Sequence, residues 1–484
     1  MGISNLFEVA NTAVTAQRLA IEVAGENIAN VNTDGYSRQQ VIMTNKPVTT
    51  SNGFPLGTGV EVQSVRRSYD GMLQQQIVNG NSTYQQNLAR QTALTQIQPS
   101  FNELATDGLG KAVDNFFSAW SDLSANPQGT AERQALLSTT QVMVDNFHQM
   151  SQTLTGIQTT ADNQLVGITA DVSENARGLA LVNSQIMATN AVGGNANELL
   201  DQRDLLLRKL SEKIGITSTL QSDGTATVTL TGGAHEPLVS GNKYATLYTN
   251  PNGGKNDILI TGVGNPAPAA IPTLDANVTT TIGGPGNSLG ELGGTLQVRD
   301  TIVPGYLGKV NEMAAQLVSA VNTQHQAGYG IDGPPPTNLH DFFLAGGTTA
   351  ATISLDPALT ANTIAAGLPT ASDPVPSSNN NGNALQLAAL KNASFGFSTG
   401  STTFAGFYSS LVSTVGIDTQ SAQNTTIQGE AFLKQLNTLQ QSNSGVSLDE
   451  ELTNLTKYQQ AFQGAAKVLN TATEMLDTIL GLVR

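Results

Sequence analysis

Hydrophobic positions at both ends of the chain alternate in steps of three and four. Near the start, Phe7, Val14, Ile21 and Ile28 recur every seventh residue, with Ile3, Ala10, Gln17, Ala24 and Val31 in the complementary register. This is the a/d seam of a helix that lies along a partner helix. Asn5 with Glu8 three residues later predicts a helix start near residue 5. The seam is narrow and contains alanine, so it favours close helix approach over a thick core of its own. At the far end, Leu448, Leu452, Leu455, Gln459, Phe462, Ala466, Leu469, Thr473, Leu476, Leu480 and Val483 keep the same spacing, and nine of these eleven positions are apolar. Ser447 and Glu450 have the spacing of a capping box, and Asp449, Glu450 and Glu451 bring negative charge to the positive end of the helix dipole. Gly445 marks a break from the preceding helix.

Helical spacing also runs through residues 74–98, 110–124 and 131–190. In NELLDQRDLLLRKLSEKIG, Leu199, Leu206, Leu210 and Ile214 share a face, Asp204 and Arg208 stand one turn apart as a pair, and Gly215 ends the helix. The texture then changes. From Ile216 to Gly294, runs such as TATVTLTGG, YATLYT, DILITG and NVTTTIGG alternate with Gly, Asn and Pro turns, the pattern of a compact β domain. Helix returns in TLQVRDTIVPGYLGKVNEMAAQLVSAVNTQHQAG, where Pro304 should kink or divide it. GIDGPPP is a turn, PTASDPVPSSNNNGN reads as a linker, and helical pattern resumes from Ala384 through Phe404–Ser442.

The expected fold class is therefore mainly α with an inserted β domain, in a nested arrangement. Residues 1–45 and 443–484 would form an inner coiled-coil domain. Residues 46–215, 295–330 and 384–442 would form a helical middle domain. An outer β-rich domain covers 216–294, and 331–383 is an irregular segment with a linker.

Composition narrows the function. The 484 residues suit about three domains. Only 12% are charged and 5% aromatic, a balance of polar, lightly charged surface with few bulky pockets. A net charge of −15 argues against a nucleic-acid backbone or an anionic membrane as partner. No apolar run approaches the roughly 18 residues of a membrane helix. With no cysteine, a thiol nucleophile, a Cys-ligated zinc and an iron–sulfur cluster are excluded. The opening MGISNLFEVANTAVTAQ has neither the cationic nor the continuous apolar region of a cleaved secretory signal.

Candidate chemistry is sparse. His148, His235, His325 and His340 form no H-E-x-x-H or H-x-H pattern, and Pro237 would break a helix at His235–Glu236. Asp145 and His148 could share a helix face, but two ligands do not make a metal site. Asp201, Arg203 and Asp204 point in different directions around their helix and read as a solvated, salt-bridged face. No phosphate loop and no G-x-S-x-G are present. Trp120, among Phe116, Phe117 and Leu123, reads as a packing anchor. No catalytic residue, metal or cofactor is expected.

The stretch NIANVNTDGYSRQQ, from Asn27 to Gln40, resembles the N-terminal signature of flagellar rod, hook and hook-associated proteins. SGVSLDEELTNLTKYQQAFQGAAKVLNTATEMLDTIL, together with ELLDQRDLLLRKLSEKIGI and GKVNEMAAQLVSAVNTQHQAGYGIDG, is similar to the hook-associated protein 1 family. That resemblance implies a non-enzymatic structural adaptor, extracellular, exported by the flagellar type III apparatus without signal cleavage, at the junction between hook and filament. It implies hook protein and the second junction protein, hook-associated protein 3, as neighbours, self-association in a helical ring, and a cytoplasmic export chaperone on the C-terminal helix. Nucleic-acid binding and membrane insertion are not expected. In this reading Phe7, Val14, Ile21, Ile28, Leu448, Leu452, Leu455, Phe462, Leu469 and Leu476 serve assembly. Asn30 and Gly35 make the turn out of the inner helix, and Tyr36 and Arg38 anchor between layers or subunits. The alternatives are another axial protein, such as hook protein or flagellin, and a secreted adhesin or hydrolase acting through the β domain.

Overall fold

A computed structural model describes residues 3–46, 49–51, 54–101, 108–232, 237–264, 275–284, 286–287, 289–332, 340–369 and 379–482. Val483, His235, Glu236 and most of the linker sequence therefore lie outside the described residues. The chain opens with helix α1 (Ile3–Ala29) and strands β1 (Gln39–Asn45), β2 (Thr49–Ser51), β3 (Phe54–Leu56) and β4 (Val60–Arg67). Helices α2 (Gly71–Ile97), α3 (Leu109–Ala125), α4 (Thr130–Ala191) and α5 (Asn197–Lys213) follow. The β-rich part holds β5 (Ile216–Leu220), β6 (Ala226–Leu230), β7 (Val239–Ser240), β8 (Lys243–Tyr244), β9 (Leu247–Asn252), β10 (Lys255–Ile260) and β11 (Ala276–Asn277). Then come α6 (Thr279–Gly283), α7 (Gly290–Gln297), α8 (Val303–Gln326), α9 (Gly382–Ala389), the hairpin β12 (Phe395–Phe397) and β13 (Gly400–Thr402), α10 (Phe404–Ser444) and α11 (Leu448–Leu482). The architecture is mainly helical with small antiparallel sheets.

The body is organised along α4, whose 62 residues make a rod of about 90 Å. Around its first half, α3, α8, α9 and α10 close an aromatic core. Phe116, Phe117, Trp120, Phe342, Phe343 and Phe404 are fully buried there, with ring centroids 5.0 Å apart at Phe342–Phe343 and 5.2 Å at Trp120–Phe342. Trp120 is thus a packing anchor. Around the second half of α4, the sheets β5–β8 and β9–β11 share a second core with α5 and α7, built on Leu165, Val172, Leu210, Val228, Leu247 and Ile258.

Four local expectations change. NVTTTIGG contributes a single strand residue, Asn277, and then the short helix α6, because Asn277 Oδ1 accepts from the Thr279 amide and turns the chain. Pro304 does not divide its helix. A π-helical stretch, Val298–Ile302, links α7 to α8 and takes up the missing donor of a proline in the first turn of α8. α1 begins at Ile3, so Asn5 lies within the helix, and Glu8 bonds Lys46 at 2.8 Å. Residues from 46 on were expected in the helical middle domain, but β4 (Val60–Arg67) is a strand, antiparallel to β1, with a bulge at Ile42–Met43.

The terminal helices pair with each other, antiparallel. Many exposed helix threonines, such as Thr92, Thr153, Thr414 and Thr453, donate their hydroxyl to the carbonyl four residues back.

Candidate functional site

The place where α1 leaves its partner and enters the body is built on Asn27. It lies on the same face of α1 as Ala20, Val23 and Ala24, all buried. An amide on an otherwise apolar helix face needs partners for every polar atom. Asn27 Oδ1 accepts from the Gln39 amide and from the Tyr36 hydroxyl, both at 2.9 Å. Its Nδ2 donates to the Gln39 carbonyl at 2.9 Å and to Glu451 Oε2 at 3.1 Å. The side chain thereby pairs with Gln39 as a neighbouring strand would, and ties α1 to the first turn of α11.

Between Asn27 and Gln39 the chain must reverse. Asn30 donates to the Glu26 carbonyl and accepts from Thr33, which tightens the end of α1. Gly35 sits at φ +81°, where a side chain is strained. A Cβ there would also touch Leu205 and Arg208 at 3.4 Å. Tyr36 follows, its phenol pushed up to about 12 by burial and by the charge of Glu26, so it remains a donor.

Arg38 reaches the other terminus. Its Nε donates to Glu451 Oε1 at 2.8 Å and its Nη2 to Glu450 Oε1 at 2.8 Å, while its amide donates to the Ser444 carbonyl. Ser68 donates through its amide to the Arg38 carbonyl and through its hydroxyl to the Asn443 carbonyl. Arg38 is thus an anchor within one chain, between the hairpin and the α10–α11 bend. Glu450 serves that ion pair, although its spacing from Ser447 suggested a capping box.

A third layer lies beneath. Asp201, Arg203 and Asp204 are buried, not solvated as their helical spacing suggested. The reason is Arg67, delivered by the unexpected hairpin: its Nη1 lies 2.8 Å from Asp201 and 2.7 Å from Asp204, and its guanidinium stacks 4.1 Å over the Tyr69 ring. Arg203 holds the other Asp204 oxygen at 2.7 Å. Asp204 therefore does not pair with Arg208. Burial raises the Asp201 carboxyl even though the Ser37 amide at 2.9 Å and Arg67 pull it back. Asn197 bonds Gln39 and the Val65 carbonyl, closing the hairpin onto α5. Each carboxylate here is tied to a guanidinium or an amide, so the arrangement fixes the angle of the terminal helices against the body.

The other predicted positions are distributed along the helix pair. Ala10, Ala16, Ala20, Val23 and Ala24 form the buried face of α1; Val14, Ile21 and Ile28 are half-buried, and Phe7 is exposed. On α11, Leu455, Phe462 and Leu469 turn toward α1 and are half-buried. Leu448, Leu452 and Leu476 are exposed. Residue patterning missed Asn27, Arg67, Asp201, Asp204 and Glu451. The one available signal was a polar Asn continuing the spacing of Ala20, Val23 and Ala24.

Paired terminal helices locked by a polar joint to a helical body define an elongated axial subunit. The match to the family described as "Flagellar hook-associated protein FlgK helical domain" covers residues 94–343. Residues 440–482 match the flagellar basal body rod FlgEFG protein C-terminal family, and 7–36 the flagella basal body rod protein family. The chain belongs to the flagellar hook-associated protein FlgK family. It is 28% identical to flagellar hook-associated protein 1 of Bacillus subtilis, across 98% of this chain and 97% of that one. It is 26% identical to flagellar hook-associated protein 1 of Escherichia coli, across 99% and 100%. The fold is also that of the flagellar hook junction protein FlgK from Burkholderia pseudomallei, with TM-score 0.65 and 18% identity over 76% of this chain and all of that chain. Among the described residues, no helix is long and apolar enough to cross a membrane.

Proposed function

We propose that the protein is the structural adaptor that joins hook to filament and is needed for the filament to grow. It acts outside the cell, as a non-enzymatic subunit in a helical ring of its own copies, between hook protein and the second junction protein, hook-associated protein 3. The observation that supports this reading is the joint. An angle held by Asn27, Arg38 and Arg67 suits a subunit whose terminal helices line one layer of a tube while its body occupies another. The exposed leucines of α11 suit helices completed by neighbouring subunits. They also give a cytoplasmic export chaperone a reason to cover that helix before assembly. The test is electron microscopy of a deletion strain. Hooks without filaments, with flagellin shed into the medium, are expected; normal filaments would sink the proposal.

A further inference from the structure

The outer face of α10 carries a seam that the described residues leave uncovered. Ser413, Ile417, Gln420, Asn424, Ile427 and Ala431 are all exposed and follow one another in steps of four and three. That is the spacing of a helix lying along partners, and here Asn424, bonded by Gln420 at 3.3 Å, stands between two isoleucines. Ile417 and Ile427 are more than half exposed, whereas Leu411, Val415 and Ala422 of the same helix are buried in the body.

A groove of about 190 Å³ lies on the other flank of α2, between that helix and α4. α2 lines it with Gln85, Ala89, Thr92 and Gln96, again in steps of four and three, and α4 lines it with Ile157 and Ala161. Two helices that present such rows leave a hollow for the ridge of a third. α10 and α2 run antiparallel, with Gly80 against Leu433 and Gly429 against Tyr84. Carried on, this places Ile427 beside Gln86 and Ile417 beside Gln96. Seam and groove therefore stand at one height along α2, each about 15 Å long. A sideways step, with no climb, brings the seam of one copy to the groove of another.

Charge favours the same match. Copies with a net charge of −15 repel one another, so they approach most easily where neither face is charged. From Ser413 to Gly429 the only charged residue is Asp418, which accepts from the Tyr306 hydroxyl at 2.6 Å. Among the described residues lining the groove the only charge is Glu291, which Lys213 neutralises at 2.8 Å. We propose that in the ring the α10 seam of one copy packs into the α2–α4 groove of the next, isoleucines on Ala89, Ile157 and Ala161, amides on amides. The two surfaces differ, so the contact is heterologous, and being sideways it closes once the rotation between copies completes a circle. The inference rests on the proposed self-association and names its surfaces.

The test uses the full chain in a deletion strain. Ile417→Glu with Ile427→Glu, and Thr92→Lys with Thr160→Lys, should each lose filament growth, while combining all four should restore it. The melting temperature of the purified subunit should stay unchanged throughout, because every altered side chain is exposed. Because the chain has no cysteine, Ile427→Cys with Gln85→Cys lets a short bis-maleimide, added to cells, report the contact as a ladder of covalent multimers. Within one chain α2 separates the two thiols. Charge variants that grow normal filaments, or cross-links only within a chain or to a different protein, would overturn the contact. If the ladder is absent while the unaltered chain restores filaments, the contact is wrong and the junction reading stands. A ladder in a strain whose deletion left filaments normal would uphold the contact and sink the junction reading.

Discussion

In the body, Phe116, Phe117, Trp120 and Phe147 are closed over on every side; along α11, Leu452 is 51% and Leu480 58% exposed. Both regions are helical and both follow a regular apolar spacing. They differ in what fills the space between helices. The body packs rings against rings, and α4 carries one continuous core past α3, α8 and α10. The terminal pair meets on a face of alanines, which brings two backbones close but removes little apolar area from water. It is tied to the body by the polar joint at one end, and its outer leucines stay exposed. A helix of this kind draws its stability from packing, not from propensity. The body closes its own core, whereas the terminal pair leaves much of its apolar surface uncovered.

The largest expected contrast comes from the core. Trp120→Ala should cost about 3–5 kcal/mol and lower the melting temperature of the whole subunit, as cavity-forming aromatic truncations do. Phe462→Ala on α11 should leave that temperature nearly unchanged while abolishing filament growth. If the two variants melt alike, the division between the regions is wrong.

Acid should then separate them. His325, buried beside Trp120 and Phe342, donates from Nδ1 to the His340 carbonyl and accepts from the Ala365 amide on Nε2. Burial lowers its pKa to about 4, against an ordinary value of 6.5. The unfolded chain therefore binds the proton first. This contribution is fully present above pH 6.5 and is lost as pH falls toward 4, for a total of roughly 3 kcal/mol. Chemical denaturation across that window should show the slope, and His325→Gln should flatten it.

At the joint, Asn27→Ala and Arg38→Ala should each cost about 1–3 kcal/mol, because Glu451 and Gln39 lose buried partners. Arg38 thus matters to the lone subunit as well as to the assembly. Hydrogen exchange should speed up over residues 27–40 and 448–455, with protection in α3 and α4 unaltered. Equal acceleration everywhere would mean that the joint supports the body too. Smallest of all, Leu476→Ser should change subunit stability by less than about 0.5 kcal/mol, yet impair assembly.

The helices were largely legible from spacing. Ser444 ends α10 where Gly445 suggested, and α4 spans the whole of the 131–190 stretch with helical periodicity. α2 starts at Gly71, earlier than its apolar spacing suggests, because Asp70 caps it by accepting from the Met72 and Leu73 amides. The joint was not legible, since Asn27 and Glu451 are 424 residues apart in sequence. Local pattern also assigned Asp201 and Asp204 to solvent, and only the arrival of Arg67 on an unanticipated hairpin explains their burial. Phe342, Phe343 and Ile364 lie in a segment without regular pattern, yet they are core residues. Their place is set by α8 and α3, not by a period of their own.

The threonines that bond back to their own helices have one more consequence. From Phe404 to Gly429, α10 carries no lysine, arginine or glutamate. Each such side chain would give up about 1.5–2 kcal/mol of rotamer freedom on being trapped against a neighbour. Serines, alanines and pinned threonines have little to give up. Much of this surface is conformationally quiet before anything touches it, so a lattice of copies could form on it at low entropic cost.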